Sequence, residues 1–265
     1  MTTTLQRIAL GLEYCGKEWL GWQSQPCGRT VQDRLESALE KIVQAPVSVI
    51  CAGRTDTGVH ARHQVVHFET PKTRPLSAWV RGTNSHLPDS IAVLWAKAVP
   101  DEFHARFSAR GRRYRYLLMN RPQKPGLLSG KVGWYHRPLD LQKMQLAARS
   151  LLGTHDFSAF RAAQCQAKSP IKTLLAANLS QRGEVISFEF AADAFLHHMI
   201  RNLVGTLVYI GAGREPVTWI NHLLQQGNRQ QAAPTFAPDG LYFLGPHYEA
   251  HWNLPTVDTD FFLPG

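Results

Sequence analysis

Residues 51–69, "CAGRTDTGVHARHQVVHFE", join a turn of small residues to a run of alternating apolar and polar side chains. The alternation over Gln64–Phe68 predicts a strand. Gly53 and Gly58, placed on either side of Asp56, predict a tight loop just ahead of it. A glycine-rich loop beside a strand can hold one side chain rigidly at the rim of a sheet. The side chain so placed is Asp56, between Thr55 and Thr57, with Arg54 two residues before it. Local sequence alone favours an aspartate that closes an Asx-turn with its own backbone. Arg54 adds a second possibility, a guanidinium that pairs with the acid or with a phosphate.

Working outward from this stretch, Ile8, Leu10, Leu12 and Tyr14 alternate with Ala9, Gly11 and Glu13, the pattern of a half-buried strand. After the loop "GWQSQPCG", Thr30 opens a helix with Asp33 as a capping-box partner. Val31, Leu35, Ala38, Leu39, Ile42 and Val43 give it an apolar stripe. Strands are expected over Val47–Ile50 and Ile91–Ala98, with a helix around Leu76–Val80. Further on come a strand over Arg112–Met119, a helix over Leu141–Leu152, and strands over Ile171–Leu179 and Val185–Phe190. Helices over Ala194–Ile210 and Val217–Gln226 close the series. This order predicts an α+β fold, two similar α/β sandwich halves sharing an extended, mainly antiparallel sheet with helices on one face. The boundary is expected near Ala105, dividing the chain into residues 1–105 and 106–265.

A length of 265 residues suits two such halves and buries enough surface to fold without staples. Hydrophobic residues make up 44% and charged residues 18%, as in ordinary soluble proteins. Cys15, Cys27, Cys51 and Cys165 form no CxxC pair and no zinc spacing, so they read as reduced cytoplasmic thiols. The segment "MTTTLQRIALGLEY" has no long apolar run behind a basic head, so neither a signal peptide nor a membrane anchor is expected. Twenty-nine Lys and Arg against 20 Asp and Glu leave a net charge of +9. Such a surplus favours polyanions, of which nucleic acid is the commonest in the cytosol. Net charge does not separate that reading from mere solubility; the distribution of charge does.

In "HARFSARGRRYRYLLMN" five arginines, Arg106, Arg110, Arg112, Arg113 and Arg115, fall within ten residues and are interleaved with Tyr114 and Tyr116. On an extended strand Arg113 and Arg115 face one way, and Arg112, Tyr114 and Tyr116 the other. Arginine with stacking aromatics on a sheet is suited to holding an unstacked base beside its phosphates. A charged edge strand is the plainer alternative, but five arginines exceed what edge protection needs. In "DAFLHHMIRNLVGTLVYIG" helical spacing sets Arg201 beside His197 at the margin of an apolar face. A guanidinium there needs a carboxylate or phosphate, Asp56 being a candidate, unless it snorkels to water. His60, His63 and His67 lack a completing ligand set, so packing or hydrogen bonding is expected of them and no metal.

Together these segments resemble the tRNA pseudouridine synthase A family over nearly the whole chain. The markers are "LGLEYCGKEWLGWQ", "TVQDRLESALEKI", "CAGRTDTGVHARHQVVHFE", "DEFHARFSARGRRYRY", "DFSAF" and "AFLHHMIRNLVGTL". The G-R-T-D-x-G-V-H core is the most specific of them. One departure is Cys15, where the family usually has an acidic or amide residue. The resemblance implies the pseudouridine synthase fold and isomerisation of uridine to pseudouridine at positions 38, 39 and 40 of tRNA. It further implies contacts to the anticodon arm and elbow, a homodimer with one tRNA touching both subunits, and no cofactor or metal. Carried over, Asp56 resembles the catalytic aspartate, Tyr114 the tyrosine stacked on the target base, and Arg201 the arginine paired with the aspartate. Arg54 would contact the flipped nucleotide's backbone, and Arg112 and Arg113 the tRNA. Whether the acid attacks C1′, adds to C6 or takes the C2′ proton stays open. A non-catalytic RNA-binding module leaves Asp56 unexplained. A metal-dependent nuclease would need more carboxylates than this one.

Overall fold

A computed structural model describes residues 5–259 of the chain. Ten strands and five α-helices lie among them, an α+β fold as expected. The chain forms two compact units: one runs to Arg110 and resumes at Phe243, the other is Gly111–Tyr242.

The first unit contains β1 (Gln6–Tyr14), α1 (Val31–Val43), β2 (Ile50–Cys51), β3 (His60–Thr70), α2 (Leu76–Asn84) and β4 (Ile91–Val99). β1 lies between β3 and β4, antiparallel to both, with Ile8 opposite Phe68 and Ala98, and Gly11 opposite Val65 and Trp95. β2 pairs with β3, and β10 (Leu241–Tyr248) also lies beside β3. α1 starts at the expected capping box: the Thr30 side chain accepts from the Asp33 N–H, and the Asp33 carboxylate accepts from the Thr30 N–H. Such a cap is worth about 1 kcal/mol. On the helix-facing side of the sheet, Phe68 meets Trp79 of α2 edge-on at 5.4 Å.

β1 is buried on both faces, where alternation predicted one. Ile8, Ala9, Leu10 and Leu12 are all shut off from water. The second face, Ala9, Val65, Trp95 and Val99, is covered by Phe103 and Ala105 and by Tyr248, Trp252, Leu254 and Val257 from the far end of the chain. A cover that distant in sequence leaves no mark on β1 itself beyond its small residues. At Gly11 a Cβ would come within 2.1 Å of the Trp95 indole. The strand expected over Val47–Ile50 shrinks to β2. The Val47 and Val49 N–H groups donate instead to the carboxylates of Glu40 and Glu36 on α1, at 3.4 and 2.9 Å.

The second unit contains β5 (Ala109–Asn120), whose first two residues precede the division, β6 (Gly133–Tyr135), α3 (Leu141–Arg149) and β7 (Gly153–Asp156). β8 (Ile171–Arg182), β9 (Val185–Ala192), α4 (Met199–Gly211) and α5 (Trp219–Gln226) follow. The strands run in the order β5-β9-β8-β7, antiparallel, with β6 parallel to β5. β9 alternates as a strand with one buried face should, placing Ile186, Phe188, Phe190 and Ala192 in the core. α3 ends at Arg149 rather than Leu152, its last turn tightening into i→i+3 bonds ahead of Gly153. α4 begins at Met199, five residues later than its apolar spacing predicts. Residues 194–198 are held outside the helix by the Asp193 carboxylate, which accepts from the Ala194 N–H at 2.6 Å. The Ala162 N–H, which donates to the His197 carbonyl, holds them from the other end. No helix among the described residues is long and apolar enough to cross a membrane.

Candidate functional site

Asp56 opens a four-residue turn closed by the Val59 N–H, which donates to the Asp56 carbonyl at 3.1 Å. Gly58 has φ of 80°, the left-handed value such a turn requires of its third residue and glycine adopts without strain. The closure is main chain to main chain, so it does not depend on the carboxylate. Residues 16–22 clasp this turn from one side. The Trp22 N–H donates to the Thr55 carbonyl at 3.0 Å, and the Gly58 N–H to the Trp19 carbonyl at 3.3 Å. Gly21 has φ of 89°, and a Cβ there would lie 2.8 Å from the Thr55 carbonyl oxygen and 3.1 Å from the Asp56 carbonyl carbon. Glycine alone lets the two backbones approach so closely. The same two residues accept from the first N–H groups of α1, Val31 to Gly21 at 3.2 Å and Gln32 to Trp22 at 3.1 Å. A capped helix start, a glycine-tryptophan bridge and the Asp56 turn thus form one bonded stack.

The other side of the loop is fixed by buried side chains. The Tyr14 hydroxyl and Thr55 Oγ1 lie 2.8 Å apart. Fully buried Gln64 donates from Nε2 to the Gly53 carbonyl at 2.6 Å. His60 Nδ1 accepts from the Gly16 N–H at 3.0 Å. The half-buried Asp56 therefore sits on a backbone positioned by its neighbours, and Arg54 is exposed on the same loop. Cys51, at the loop's start, stays an un-ionised thiol, because burial pushes it up to about 11.

In the second unit Tyr114 lies midway along β5, opposite Phe190 of β9. Only 9% exposed, it meets Phe195 edge-on at 5.2 Å. Tyr116 shares its face and is fully buried, its hydroxyl donating to the Ala237 carbonyl at 2.9 Å. Burial holds that phenol protonated, far above its usual range. Arg201, in the first turn of α4, donates from Nε to the Phe236 carbonyl at 2.8 Å. Its own carbonyl accepts from the Phe236 N–H at 3.2 Å. The first bond restrains the guanidinium and the second ties the two backbones together. Phe236 in turn meets Tyr116 edge-on at 5.8 Å, so Arg201 is tied to the tyrosine one pleat along from Tyr114. Arg112 donates to the Asp193 carbonyl at 3.0 Å, and Arg113 is exposed on the opposite face.

The arginine cluster proves to be divided in its duties. Arg115 is buried and bonded to Glu189, its Nε to Oε1 at 2.8 Å, and Arg110 pairs with Glu249 at 2.8 Å. Both are engaged within the fold, the buried Arg115 pair more strongly than the exposed Arg110 pair. The histidines pack and bond, as expected: His63 Nε2 accepts from the Trp95 indole at 3.2 Å, and His67 Nδ1 from the Ala105 N–H at 3.1 Å. Burial first, then neighbouring cations, lower both to about 4. The sequence reading missed the bracing roles of Tyr14, Gln64 and Phe236. It also counted Phe195 among the apolar residues of a helix, whereas the late start of α4 places it against Tyr114.

A sequence model described as tRNA pseudouridine synthase matches residues 12–108 and 147–249 of the chain. A protein named tRNA pseudouridine synthase A from Dechloromonas aromatica is 64% identical over 255 residues, covering 96% of this chain and 97% of that one. A protein of the same name from Nitrosomonas eutropha is 58% identical over 252 residues, covering 95% and 91%. Another, from Polaromonas naphthalenivorans, is 56% identical over 254 residues, covering 94% and 96%.

Proposed function

The chain belongs to the tRNA pseudouridine synthase family, and from that premise we propose that it isomerises uridine to pseudouridine at positions 38, 39 and 40 of the tRNA anticodon stem-loop. In this reaction the N1–C1′ bond breaks, the uracil turns, and C5 joins C1′. The proton lost from C5 is balanced by one gained at N1, so no redox step and no diffusible reagent is needed. Asp56 acts as the nucleophile, with Arg201 as the counter-ion that keeps it ionised and aimed. Tyr114 supplies the surface on which the uracil stacks and turns. Arg54 holds the backbone of the extruded nucleotide, and Arg112 and Arg113 bind phosphates. A base in a stem must leave its stack, at a cost of a few kcal/mol that such contacts offset. The enzyme works in the cytoplasm as a homodimer in which one tRNA, held at its anticodon arm and elbow, touches both subunits.

The observation that carries this reading is the Asp56 turn. It is clasped by Trp19, Gly21 and Trp22, braced by Tyr14 and Gln64, and closed without help from the carboxylate. The fold thus positions this carboxylate through a backbone held by its neighbours, as a reacting group requires. Carbodiimide adduct mapping tests the proposal on tRNA from cells lacking the protein. Adducts at positions 38–40 should be missing, should return with the wild-type chain, and should stay missing with Asp56→Asn. Unchanged adducts in the deleted strain would refute it.

A further inference from the structure

An exposed aromatic ring lies on a different loop from Asp56, between β4 and β5. Phe107 is 71% exposed, in a unit whose other aromatic side chains largely pack away. It is not a loose side chain. One of its faces rests on the His104 imidazole, with ring centroids 4.3 Å apart and planes 28° from parallel. The loop beneath is built to hold that stack. His104 Nδ1 accepts from the Arg106 and Phe107 N–H groups, both at 3.2 Å. The His104 N–H donates to Ser108 Oγ at 3.0 Å, and the Ser108 N–H to the His104 carbonyl at 2.9 Å. Below, His104 meets buried His67 edge-on at 4.9 Å, and His67 is fastened to the Ala105 N–H. The Arg106 guanidinium lies 5.5 Å from the Phe107 centroid. Burial first, then the Arg7 charge and that of Arg106, lower the His104 pKa, which keeps Nδ1 an acceptor near neutral pH.

We propose that Phe107, backed by His104 and flanked by the Arg106 guanidinium, is a preformed stacking platform for an unpaired base of the RNA substrate. An aromatic face held rigid is what single-stranded RNA recognition uses, since every base offers a π-face. The platform rests on the reading of the protein as a tRNA-modifying enzyme and adds to it a contact outside the catalytic turn.

The test uses the full chain and an unmodified tRNA transcript, with Phe107→Ala, Phe107→Leu and Phe107→Trp. Affinity is read by filter binding, single-turnover pseudouridine formation at saturating enzyme by tritium release, and self-association by sedimentation velocity. Thermal melts check folding. Alanine and leucine should weaken binding about 5- to 150-fold, the span expected for one lost base–aromatic stack. The rate at saturation should fall less than the affinity, and tryptophan should bind within about twofold of wild type. If leucine binds as well as phenylalanine, stacking is refuted. If the variants alter sedimentation and leave tRNA affinity intact, the ring is a protein contact and the proposal is overturned. A wild type that forms pseudouridine while all three variants bind normally removes the platform alone. A wild type with no such activity removes the enzymatic reading beneath it.

Discussion

Replacing Gly21 by alanine separates the positioning of Asp56 from general backbone strain. Two effects act at this position. Its φ of 89° is unfavourable for any residue with a Cβ, costing about 1–2 kcal/mol. The new methyl would also lie 2.8 Å from the Thr55 carbonyl oxygen and 3.1 Å from the Asp56 carbonyl carbon. Both are backbone atoms, so the Asp56 turn itself has to move by some tenths of an ångström. A misplacement approaching 1 Å costs about 100-fold in rate, which puts the expected loss at roughly 10- to 100-fold for a smaller shift. Gly28 is the matched control: its φ is 65°, yet a Cβ there meets nothing within 4 Å. Gly28→Ala should therefore lose stability and keep its rate. The assay is single-turnover tritium release from tRNA labelled at uridine C5, with urea unfolding and filter binding in parallel. Gly21→Ala should bind tRNA within a few-fold of wild type while its rate falls. Equal rates for the two variants would refute the claim that the glycine-tryptophan bridge positions the aspartate.

Four further outcomes are expected, the last of them at Asp56. The half-buried His63 and buried His67 rings, lowered to about 4, stay unprotonated in the folded protein while the unfolded chain takes up protons near pH 6.5. Stability should then be flat above that pH and fall between about 6.5 and 4, with a ceiling of about 3 kcal/mol for a fully buried ring. His63→Gln, which can still accept from Trp95, should flatten that slope in urea unfolding; an unchanged slope would exclude His63 as a cause. Arg115→Ala strands Glu189 in a setting only a third open to water, and should cost roughly 2 kcal/mol. A loss under about 0.5 kcal/mol in chemical unfolding would show that the pair is idle. Arg112→Ala and Arg113→Ala should each weaken tRNA binding and lower the salt slope by about one, and slopes equal to wild type would count against phosphate contacts.

Much of the fold was written locally. The α1 capping box shows in Thr30 and Asp33, and the alternation of β9 shows in its own residues, because caps and strand faces are set by neighbours in sequence. The second cover of β1 was not legible, since Trp252 and Leu254 come from the other end of the chain. Ala9 and Gly11 are its only local trace. The start of α4 was misread because apolar spacing continues through Ala194–His198 and hides the turn that Asp193 caps. In the Asp56 loop, Gly58 and the packing histidines were marked by type and spacing, whereas local sequence favoured an Asx-turn for Asp56 and only the family resemblance gave it a chemical role. The bracing of the Asp56 turn by Tyr14, Gly21 and Gln64 was not so marked, as it depends on strands and loops meeting in space. The arginine cluster looked uniform in sequence, and only coordinates separate the paired Arg110 and Arg115 from the exposed Arg113.

The most direct test of the central claim is single-turnover tritium release by Asp56→Asn on C5-labelled tRNA, with affinity measured on the same preparation. Because the turn is closed by main-chain atoms, the variant should bind tRNA almost as wild type does and release no tritium above background. Near-normal release would contradict the assignment of Asp56 as the nucleophile.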